Sequence, residues 1–315
     1  MNSINSCISV IVPSYNRAHL LKYTLPTYLQ DYVLELLLID DCSSDNTELE
    51  VRKLQKIYPQ IKYIRNPRNM KQPYSKNIGI TNASGKYIYF GDDDSFLLEG
   101  SMKLLYDTIQ EYDCDAATAR SLCAGPDFIM EKKEQYIQWR VSRGYTENIK
   151  DVYDISTLHF NWGHYLSKPI EVPCCPACTL VKTSLASKNL FDINYVECAY
   201  REETDFFIRL NLDFNAKMFF QSKACQFNLP DYLVKNSGAR TGGENHWLKF
   251  AIQNNKYFLE KNWERIKNKY HLTRSISDMQ DLFIQEMTKK QRCKKQFFFK
   301  EVLKKIYFNL FVYKK

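Results

Sequence analysis

Apolar and polar positions alternate in blocks along the first 120 residues, in an order that predicts strands separated by helices. Apolar, largely β-branched or aromatic runs suited to strands occupy residues 8–12, 34–39, 61–64 and 87–90. Apolar residues at helical spacing lie between them, over 20–29 and 49–58. Strands that are apolar along their whole length favour a mainly parallel sheet with helices on both faces. We therefore predict an α/β fold.

Polar residues follow three of these strands at the point where each ends. They are Pro13-Ser14-Tyr15, Asp40-Asp41 and Asp92-Asp93-Asp94. Ligands of parallel sheets bind beyond the carboxyl ends of the strands, so these residues are expected to line one crevice. The alternative is that each is a solvated turn. Adjacent buried carboxylates cost several kcal/mol each unless they are compensated, and a divalent cation is the favoured compensation.

The rest of the chain follows a different pattern. Residues 115–170 lose the alternation and are rich in aromatic side chains, and a helix is predicted in REETDFFIRLNL, near residue 200. A glycine-containing loop over Ser237 to Gly243 precedes helices that continue to the end. We expect a main domain over 1–235, with halves of about 1–120 and 121–235. Residues 236–315 would form a flexible loop and a helical, basic extension.

Charge and composition narrow the classes of partner and compartment. The net charge is +8, and ten Lys and Arg against two Glu place +8 in residues 285–315 alone. A near-neutral main domain argues against nucleic-acid binding. The sequence has no apolar stretch of the roughly 18 residues that a membrane span needs, and no recognisable signal peptide at its start. The ten cysteines are irregularly spaced, so we expect reduced thiols in the cytoplasm, with Cys175 and Cys178 buried rather than metal-bound.

Several sequence pieces together resemble the family 2 glycosyltransferases of the GT-A fold, over roughly residues 7–260. The pieces are ISVIVPSYNR, LLLIDDCSSDNT, NPRNMKQPYSKNIGITNASGKYIYFGDDDS and REETDFFIRL. The resemblance implies an inverting enzyme that moves a sugar from a nucleotide-diphosphate donor to an acceptor hydroxyl. It also implies a role in cell-surface polysaccharide or glycolipid synthesis.

The acidic triplet is similar to the DxD signature of that family. By this resemblance Asp94 coordinates Mn²⁺ or Mg²⁺, and Asp92 and Asp93 belong to the nucleotide-sugar site. A cation between a carboxylate and the two phosphates would neutralise the leaving group. A divalent cation is therefore the expected cofactor.

The resemblance also assigns residues to the nucleotide. Asp41 stands where the family holds the base, and a carboxylate accepting the imino proton of uracil favours a UDP-sugar. Pro13 and Tyr15 match the base-cradling segment, with Tyr15 either stacked on the ring or a plain core aromatic. Lys76 stands where relatives carry arginine, as a phosphate-binding charge or as an exposed helix lysine.

The catalytic base of the family lies in an acidic pair at the start of a helix. Here the pair is Glu202-Glu203, and Glu203 occupies the position of the base. The alternative is an ordinary acidic first turn. Asp205 and Arg209, on the same helix, are expected to form an ion pair. Asn228 stands where many relatives place a histidine, and His246 is expected at the surface unless it completes the metal site.

The acceptor and the membrane are addressed by two further features. Trp139, Trp162, His164 and Tyr165 either contact a glycan acceptor or form a small core beneath a long loop. The segment QFFFKEVLKKIYFNLFVYKK has apolar residues at helical spacing with lysines between, a pattern that suits an anionic membrane surface. This suggests a lipid-linked acceptor and peripheral contact at the inner face of the cytoplasmic membrane. The competing interpretation is a helix docked on the main domain.

Two rival functions follow from the same sequence. A nucleotidyltransferase would normally carry a glycine-rich, basic segment after the first strand, and PSYNRAHL is not one. A degenerate relative would bind a nucleotide-sugar or glycan without turnover. Glu203 stands where the family usually has aspartate, and Asn228 where many relatives have histidine. These two differences keep the hypothesis of a degenerate relative open.

Overall fold

A computed structural model describes residues 6–234 and 243–289 of the chain, and in these residues the fold is built on one large sheet. The strands are β1 (Ile8–Ser14), β2 (Val33–Asp40), β3 (Ile61–Arg65), β4 (Tyr87–Phe90), β5 (Ser95–Leu97), β6 (Ala116–Cys123), β7 (Tyr153–Asp154), β8 (His159–Phe160), β9 (Ile170–Glu171), β10 (Thr179–Lys182) and β11 (Met218–Asn228). Strands β7 and β8 pair separately as a small hairpin.

Helices connect and cover the strands. They are α1 (Ala18–Thr24), α2 (Thr47–Ile57), α3 (Lys71–Asn82), α4 (Ser101–Glu111), α5 (Lys133–Val141), α6 (Ile149–Val152), α7 (Thr183–Ala186), α8 (Glu202–Asp213), α9 (Asp231–Val234), α10 (Gly243–Tyr270) and α11 (276–289). Short 3-10 turns follow α1 at Leu25–Tyr28 and precede α5 at Met130–Lys132. None of the helices in the described ranges is both long and apolar enough to cross a bilayer.

The sheet is parallel where the alternating pattern predicted it and mixed beyond that. Its order is β3-β2-β1-β4-β10-β6-β11-β5, with β9 also paired to β11. The first four strands are mutually parallel. Strand β10 lies antiparallel to both β4 and β6. Between β6 and β10 the chain forms several short elements, and it then enters the sheet in the opposite direction. The predicted α/β class is confirmed, with more antiparallel pairing than expected.

The C-terminal helices pack on the main domain. Phe258 and Trp263 of α10 and Met279 of α11 belong to the same buried cluster as Ile88 of β4 and Phe206 of α8. Burial of these large side chains supplies the main driving force for docking the helices. The predicted loop over Ser237 to Gly243 and the basic tail segment 296–315 lie outside the described residues, except for Gly243, which begins α10.

Helix α3 lies unusually close to β1, and this closeness fixes the position of its polar face. A Cβ added to Gly79 would stand 2.3 Å from Cγ2 of Ile11, so a larger residue does not fit there without a shift. Ser75 lies about one helical turn before Gly79 and Gln72 about two turns before it, and both line the pocket described below. The glycine therefore allows α3 to present its first turns at the edge of the sheet.

Candidate active site

A pocket of about 510 Å³ opens at the carboxyl ends of β1, β2 and β4. It contains most of the residues assigned to donor and metal from the sequence, namely Pro13, Tyr15, Asp41, Asp92, Asp93 and Asp94. Tyr15 is partly exposed in this pocket rather than a core residue. The three polar strand ends thus form one crevice, and they are not separate solvated turns. We call this cavity the donor pocket.

Two carboxyl groups of the acidic triplet in the donor pocket have raised pKa values. Burial, followed by the charge of Asp94, raises the pKa of Asp92 to about 7. Burial and Asp94 also raise the pKa of Asp93 to about 7, although Arg17 opposes the shift. Asp92 accepts a 2.9 Å hydrogen bond from Nε2 of Gln226. A site of this kind favours the arrival of positive charge.

Arg17 brings a positive charge to the acidic triplet. Its Nε lies 3.5 Å from Oδ1 of Asp93, and a terminal nitrogen lies 4.0 Å from Oδ2 of Asp94. The guanidinium is almost fully buried and also donates to the carbonyl of Val234. Sequence reasoning did not single out Arg17, although it stands in the first family-like segment, because its acidic partners are far away along the chain.

The two aspartates after β2 have different partners. Asp40 accepts hydrogen bonds from Tyr63 and Arg65 at 2.6 Å each, and from the backbone of Ser43. It therefore holds the turn after β2. Asp41 Oδ1 accepts from Asn66 Nδ2 at 2.8 Å and from the backbone N–H of residue 70, and Oδ2 accepts from the N–H of residue 71. It thereby fixes the start of α3, and Oδ2 keeps room for one further donor.

Lys76 forms a buried ionic group with both members of the acidic pair. Its Nζ lies 2.7 Å from Oε1 of Glu202 and 2.6 Å from Oε1 of Glu203. The side chain of Lys76 is 0% exposed, so it is not the exposed helix lysine that the sequence left as an alternative. Burial lowers the pKa of Lys76, but the surrounding carboxylates, Glu202 first, outweigh burial and raise it. The lysine is therefore protonated, and it orients Glu203.

One lysine does not neutralise two glutamates. Burial, with the charge of Glu203 also contributing, raises the pKa of Glu202 to about 8 against the lowering effect of Lys76. Oε2 of Glu202 is buried, and no described residue forms a hydrogen bond with it. Glu203 is more accessible, with a side chain 29% exposed, and its Oε2 accepts from the backbone N–H of Ala177 at 3.1 Å. Of the two acids, Glu203 is the one placed to meet a ligand.

A second pocket, of about 360 Å³, adjoins the donor pocket, and Gln72 lines both. Glu203 lines this second cavity, which we call the aromatic pocket. Rings contribute much of its wall: Phe160 and Trp162 are stacked with centroids 5.7 Å apart, and Phe283 lies 5.4 Å from Tyr200. Of the aromatic residues singled out from the sequence, Trp162 lies here, and Trp139 is 45% exposed elsewhere.

The donor pocket fits a hard cation but does not hold a complete ligand set of its own. Within residues 6–234 and 243–289 there is no group of three or more His, Cys, Asp or Glu side chains arranged to bind a metal. The carboxylates with raised pKa values are still the oxygen ligands that Mg²⁺ and Mn²⁺ prefer, and Mg²⁺ in particular is often held by one or two carboxylates plus substrate phosphates and water. The residues present are therefore compatible with a cation completed by a diphosphate.

Two residues considered for the metal site from the sequence have other contacts. Oδ1 of Asn228 accepts a 2.8 Å hydrogen bond from Oγ of Ser95, which lies 3.3 Å from Oδ1 of Asp94. Asn228 thus borders the acidic triplet through a serine. His246 is 42% exposed, and its nearest acid is Glu197 at 3.9 Å. It is a surface histidine, as expected.

Other sequence predictions are also supported by contacts. Arg209 Nε lies 2.8 Å from Oδ2 of Asp205, so the expected ion pair of α8 is present. Cys175 and Cys178 are buried free thiols, and burial raises the pKa of each well above its ordinary value. Protonated thiols of this kind are poor metal ligands, so they pack as core residues.

Comparison with known proteins identifies the family of this chain. Residues 9–166, half of the chain, match the glycosyl transferase family 2, and the chain belongs to that family. The predicted family membership is confirmed.

Relatives and solved structures agree on family and fold. A segment of 107 residues is 40% identical to the GalNAc(5)-diNAcBac-PP-undecaprenol beta-1,3-glucosyltransferase of Campylobacter jejuni, covering 33% of this chain and 35% of that protein. The match thus spans about a third of that curated relative's length. S. aureus TarS 1-349 in complex with UDP-GlcNAc superposes with a TM-score of 0.56 at 15% identity, over 88% of this chain and 70% of that one. The mannosyltransferase PcManGT of Pyrobaculum calidifontis, in complex with GDP-Man and Mn2+, gives 0.53 at 15% identity, over 82% and 64%. The GT-A fold is confirmed.

Proposed function

We propose that this protein is an inverting glycosyltransferase that moves the sugar of a UDP-sugar to a hydroxyl group of a lipid-linked saccharide. The observation that carries the proposal is the joining of two pockets at Gln72. The acidic triplet and Asp41 lie in the donor pocket, and Glu203 lies in the aromatic pocket. The sugar to be transferred would stand where the pockets meet.

The chemistry uses the residues in distinct roles. Asp41 would accept the imino N–H of uracil, Tyr15 and Pro13 would support the base, and Asp94 would hold a divalent cation. The cation, once bound with the diphosphate, would neutralise the charge of the departing phosphate. Asp92 and Asp93 would complete the negative surface that attracts it.

Glu203 would act as the base on the acceptor. The acceptor oxygen forms a bond to C1 of the sugar while the bond from C1 to the phosphate oxygen breaks, and its electron pair leaves with UDP. The hydroxyl proton passes to Glu203, and attack from the opposite face inverts the anomeric carbon. Lys76 acts as a positioning residue, because it holds Glu203 through Oε1.

The choice of donor and acceptor is supported by the relatives. UDP-GlcNAc binds the similarly folded TarS, and Mn2+ accompanies GDP-Man in PcManGT. The Campylobacter relative is named for a saccharide linked through a diphosphate to undecaprenol. We propose a lipid-linked acceptor of that general kind, met at the inner face of the cytoplasmic membrane. The basic residues of 285–315 would contact anionic lipid there.

The donor site is tested by thermal unfolding with UDP, GDP, dTDP and CDP, each with and without Mn²⁺. We expect UDP with Mn²⁺ to raise Tm, and the Asp94→Ala variant to lose the effect. Asp107, which forms an exposed ion pair with Lys103, provides the control variant Asp107→Ala. No response of the folded wild type to any nucleotide would contradict the proposal.

Catalysis and membrane contact need separate measurements. With a UDP-sugar that binds the wild type, the Glu203→Gln variant should still bind the donor. It should no longer release UDP when an acceptor is added. Unchanged turnover would show that Glu203 is not the base.

Membrane contact is tested by sedimentation with lipid vesicles at low salt. The full chain should sediment with vesicles that contain phosphatidylglycerol, and it should not sediment with vesicles of phosphatidylcholine. Equal recovery with both kinds of vesicle would contradict a role for the basic segment.

A further inference from the structure

Arg201 contributes a positive charge to the aromatic pocket, and in the described parts of the chain it forms no direct ion pair with an acid. It is half-buried, directly precedes α8, and lines the pocket together with Glu203. Its Nε donates to Oδ1 of Asn255 at 3.0 Å, and both terminal nitrogens share the carbonyl oxygen of Leu158 at 3.4 Å. Both of these acceptors are neutral. In residues 6–234 and 243–289 no carboxylate lies within ion-pair distance of Arg201, although Glu202, Glu203 and Glu286 line the same pocket.

Aromatic rings and neutral amide side chains hold this guanidinium in place. Its carbon lies 5.3 Å from the ring centroid of Tyr200, and 5.7 Å from those of Phe258 and Phe283. Asn255, in turn, donates to Oε1 of Gln280 on α11, so the two C-terminal helices fix the arginine. A guanidinium offers five N–H donors, and the contacts above leave donors available. The residue also adopts a φ of 73°, a conformation that is uncommon for residues other than glycine.

A fixed, partly desolvated guanidinium with spare donors is suited to binding an anion with two parallel acceptor oxygens. Phosphate esters present such a pair. The remaining wall of the pocket, including the stacked Phe160 and Trp162, offers apolar ring faces of the kind that pack against sugar rings. The cavity of about 360 Å³ has room for a monosaccharide with its phosphate.

We infer that the aromatic pocket binds a saccharide acceptor that carries a phosphate group, and that Arg201 binds this phosphate. The inference rests on the proposed function and names the chemical class of its acceptor. The sugar ring lies against the aromatic wall, with one hydroxyl directed to Glu203. The phosphate lies on Arg201, on the side of the pocket that α11 lines.

The test is a binding titration of the full chain, first saturated with UDP and Mn²⁺ so that the donor pocket is filled. The probes are hexose 1-phosphates, the corresponding free hexoses, and inorganic phosphate. At least one hexose 1-phosphate should bind 10-fold or more tightly than its free hexose. Arg201→Met should reduce its affinity to that of the free hexose, and Arg201→Lys should retain part of the difference. Arg143→Met removes an exposed arginine that stacks 4.3 Å over Trp139, outside the pocket, and should change nothing.

The outcomes separate the inference from the proposed function. If UDP and Mn²⁺ bind normally to wild type but phosphorylated and free hexoses bind equally, the inference fails and the proposed function stands. Loss of UDP binding in both Arg201 variants would show that the arginine binds the donor diphosphate, and this result would also overturn the inference. If Arg201→Met does not fold, Arg201→Lys decides the matter, since unchanged affinity for the hexose 1-phosphate rejects bidentate recognition.

A soluble sugar phosphate and a lipid-linked sugar diphosphate present the same phosphate to Arg201. A hexose linked through a diphosphate to farnesol, measured in detergent, distinguishes them. Tighter binding than the hexose 1-phosphate, still dependent on Arg201, identifies the lipid-linked acceptor. Weaker binding identifies the soluble one. Binding of the farnesyl compound that does not depend on Arg201 contradicts the inference.

Discussion

Replacing Lys76 with methionine would test the buried ionic group that holds the proposed base. The lysine is fully buried and lies within 2.7 Å of Glu202 and 2.6 Å of Glu203. Methionine has a similar length and no charge, so at a pH above about 8, where Glu202 ionises, the change leaves two neighbouring carboxylates without their cation. Within the described residues, Oε2 of Glu202 has no hydrogen-bond partner that could compensate this charge.

The size of the effect follows from the burial. Removing one partner of a buried ion pair costs about 3–5 kcal/mol. Unfolding entropy of about 2.1 cal/mol/K per residue, over the 315 residues of the chain, converts that cost to a fall in Tm of roughly 5–8 °C. The loss should be smaller at acidic pH, because protonation of Glu202 then removes one of the two charges.

The assay is thermal unfolding at pH 9.5 and at pH 5.5, with Lys182→Met as the matched control. Lys182 pairs with Asp115 at 2.8 Å, but the lysine is 30% exposed, so its removal should cost no more than about 1 kcal/mol. The double variant Lys76→Met/Glu202→Gln should recover much of the loss at pH 9.5, where Glu202 is ionised. If Lys76→Met were no worse than Lys182→Met, or if the double variant recovered nothing, the reasoning about uncompensated charge would be refuted.

Further predictions concern the same site and its support. Glu203→Gln should lower kcat about 10²-fold or more while UDP binding, measured by titration, stays within twofold. Asp94→Ala should abolish the Mn²⁺-dependent part of the Tm shift caused by UDP, and an intact shift would exclude it as the metal ligand. The pKa of Glu202 is about 8 in the folded protein against about 4.3 unfolded, so its contribution to stability is complete below about pH 4.3 and is lost as pH rises through 8. Thermal unfolding between pH 5 and 8 should therefore show a decline that is shallower in Glu202→Gln. Gly79→Ala should lower Tm by several degrees, since its Cβ would lie 2.3 Å from Ile11, and an unchanged Tm would show that α3 can shift freely.

The sequence predicted those parts of the fold that depend on local patterns. Strand β4 spans Tyr87–Phe90, as predicted, and β1 to β3 differ from prediction by a residue or two at their ends. These strands are largely apolar, and each is followed by polar residues at a turn. Residues close together in the sequence therefore determine where each strand begins and ends. The parallel order of this part also follows from the alternation of strands and helices.

Long-range pairing was not readable in the same way. Strand β10 joins the centre of the sheet antiparallel to β4 and β6, although about fifty irregular residues precede it. Nothing local in a four-residue apolar segment specifies which neighbour it will have. Its place depends on contacts with strands that are distant in the sequence.

The site divides along the same line. Types of residue and their order in motifs determined the family, the acidic triplet at a strand end and the acidic pair at a helix start, because these depend on the chain over a few residues. Only the tertiary structure decided that Arg17 faces Asp93, that Lys76 lies between Glu202 and Glu203, and that Arg201 lines the same pocket as Glu203. Charge compensation is a property of distance and burial in three dimensions, and residues more than a hundred positions apart acquire both only when the chain has folded.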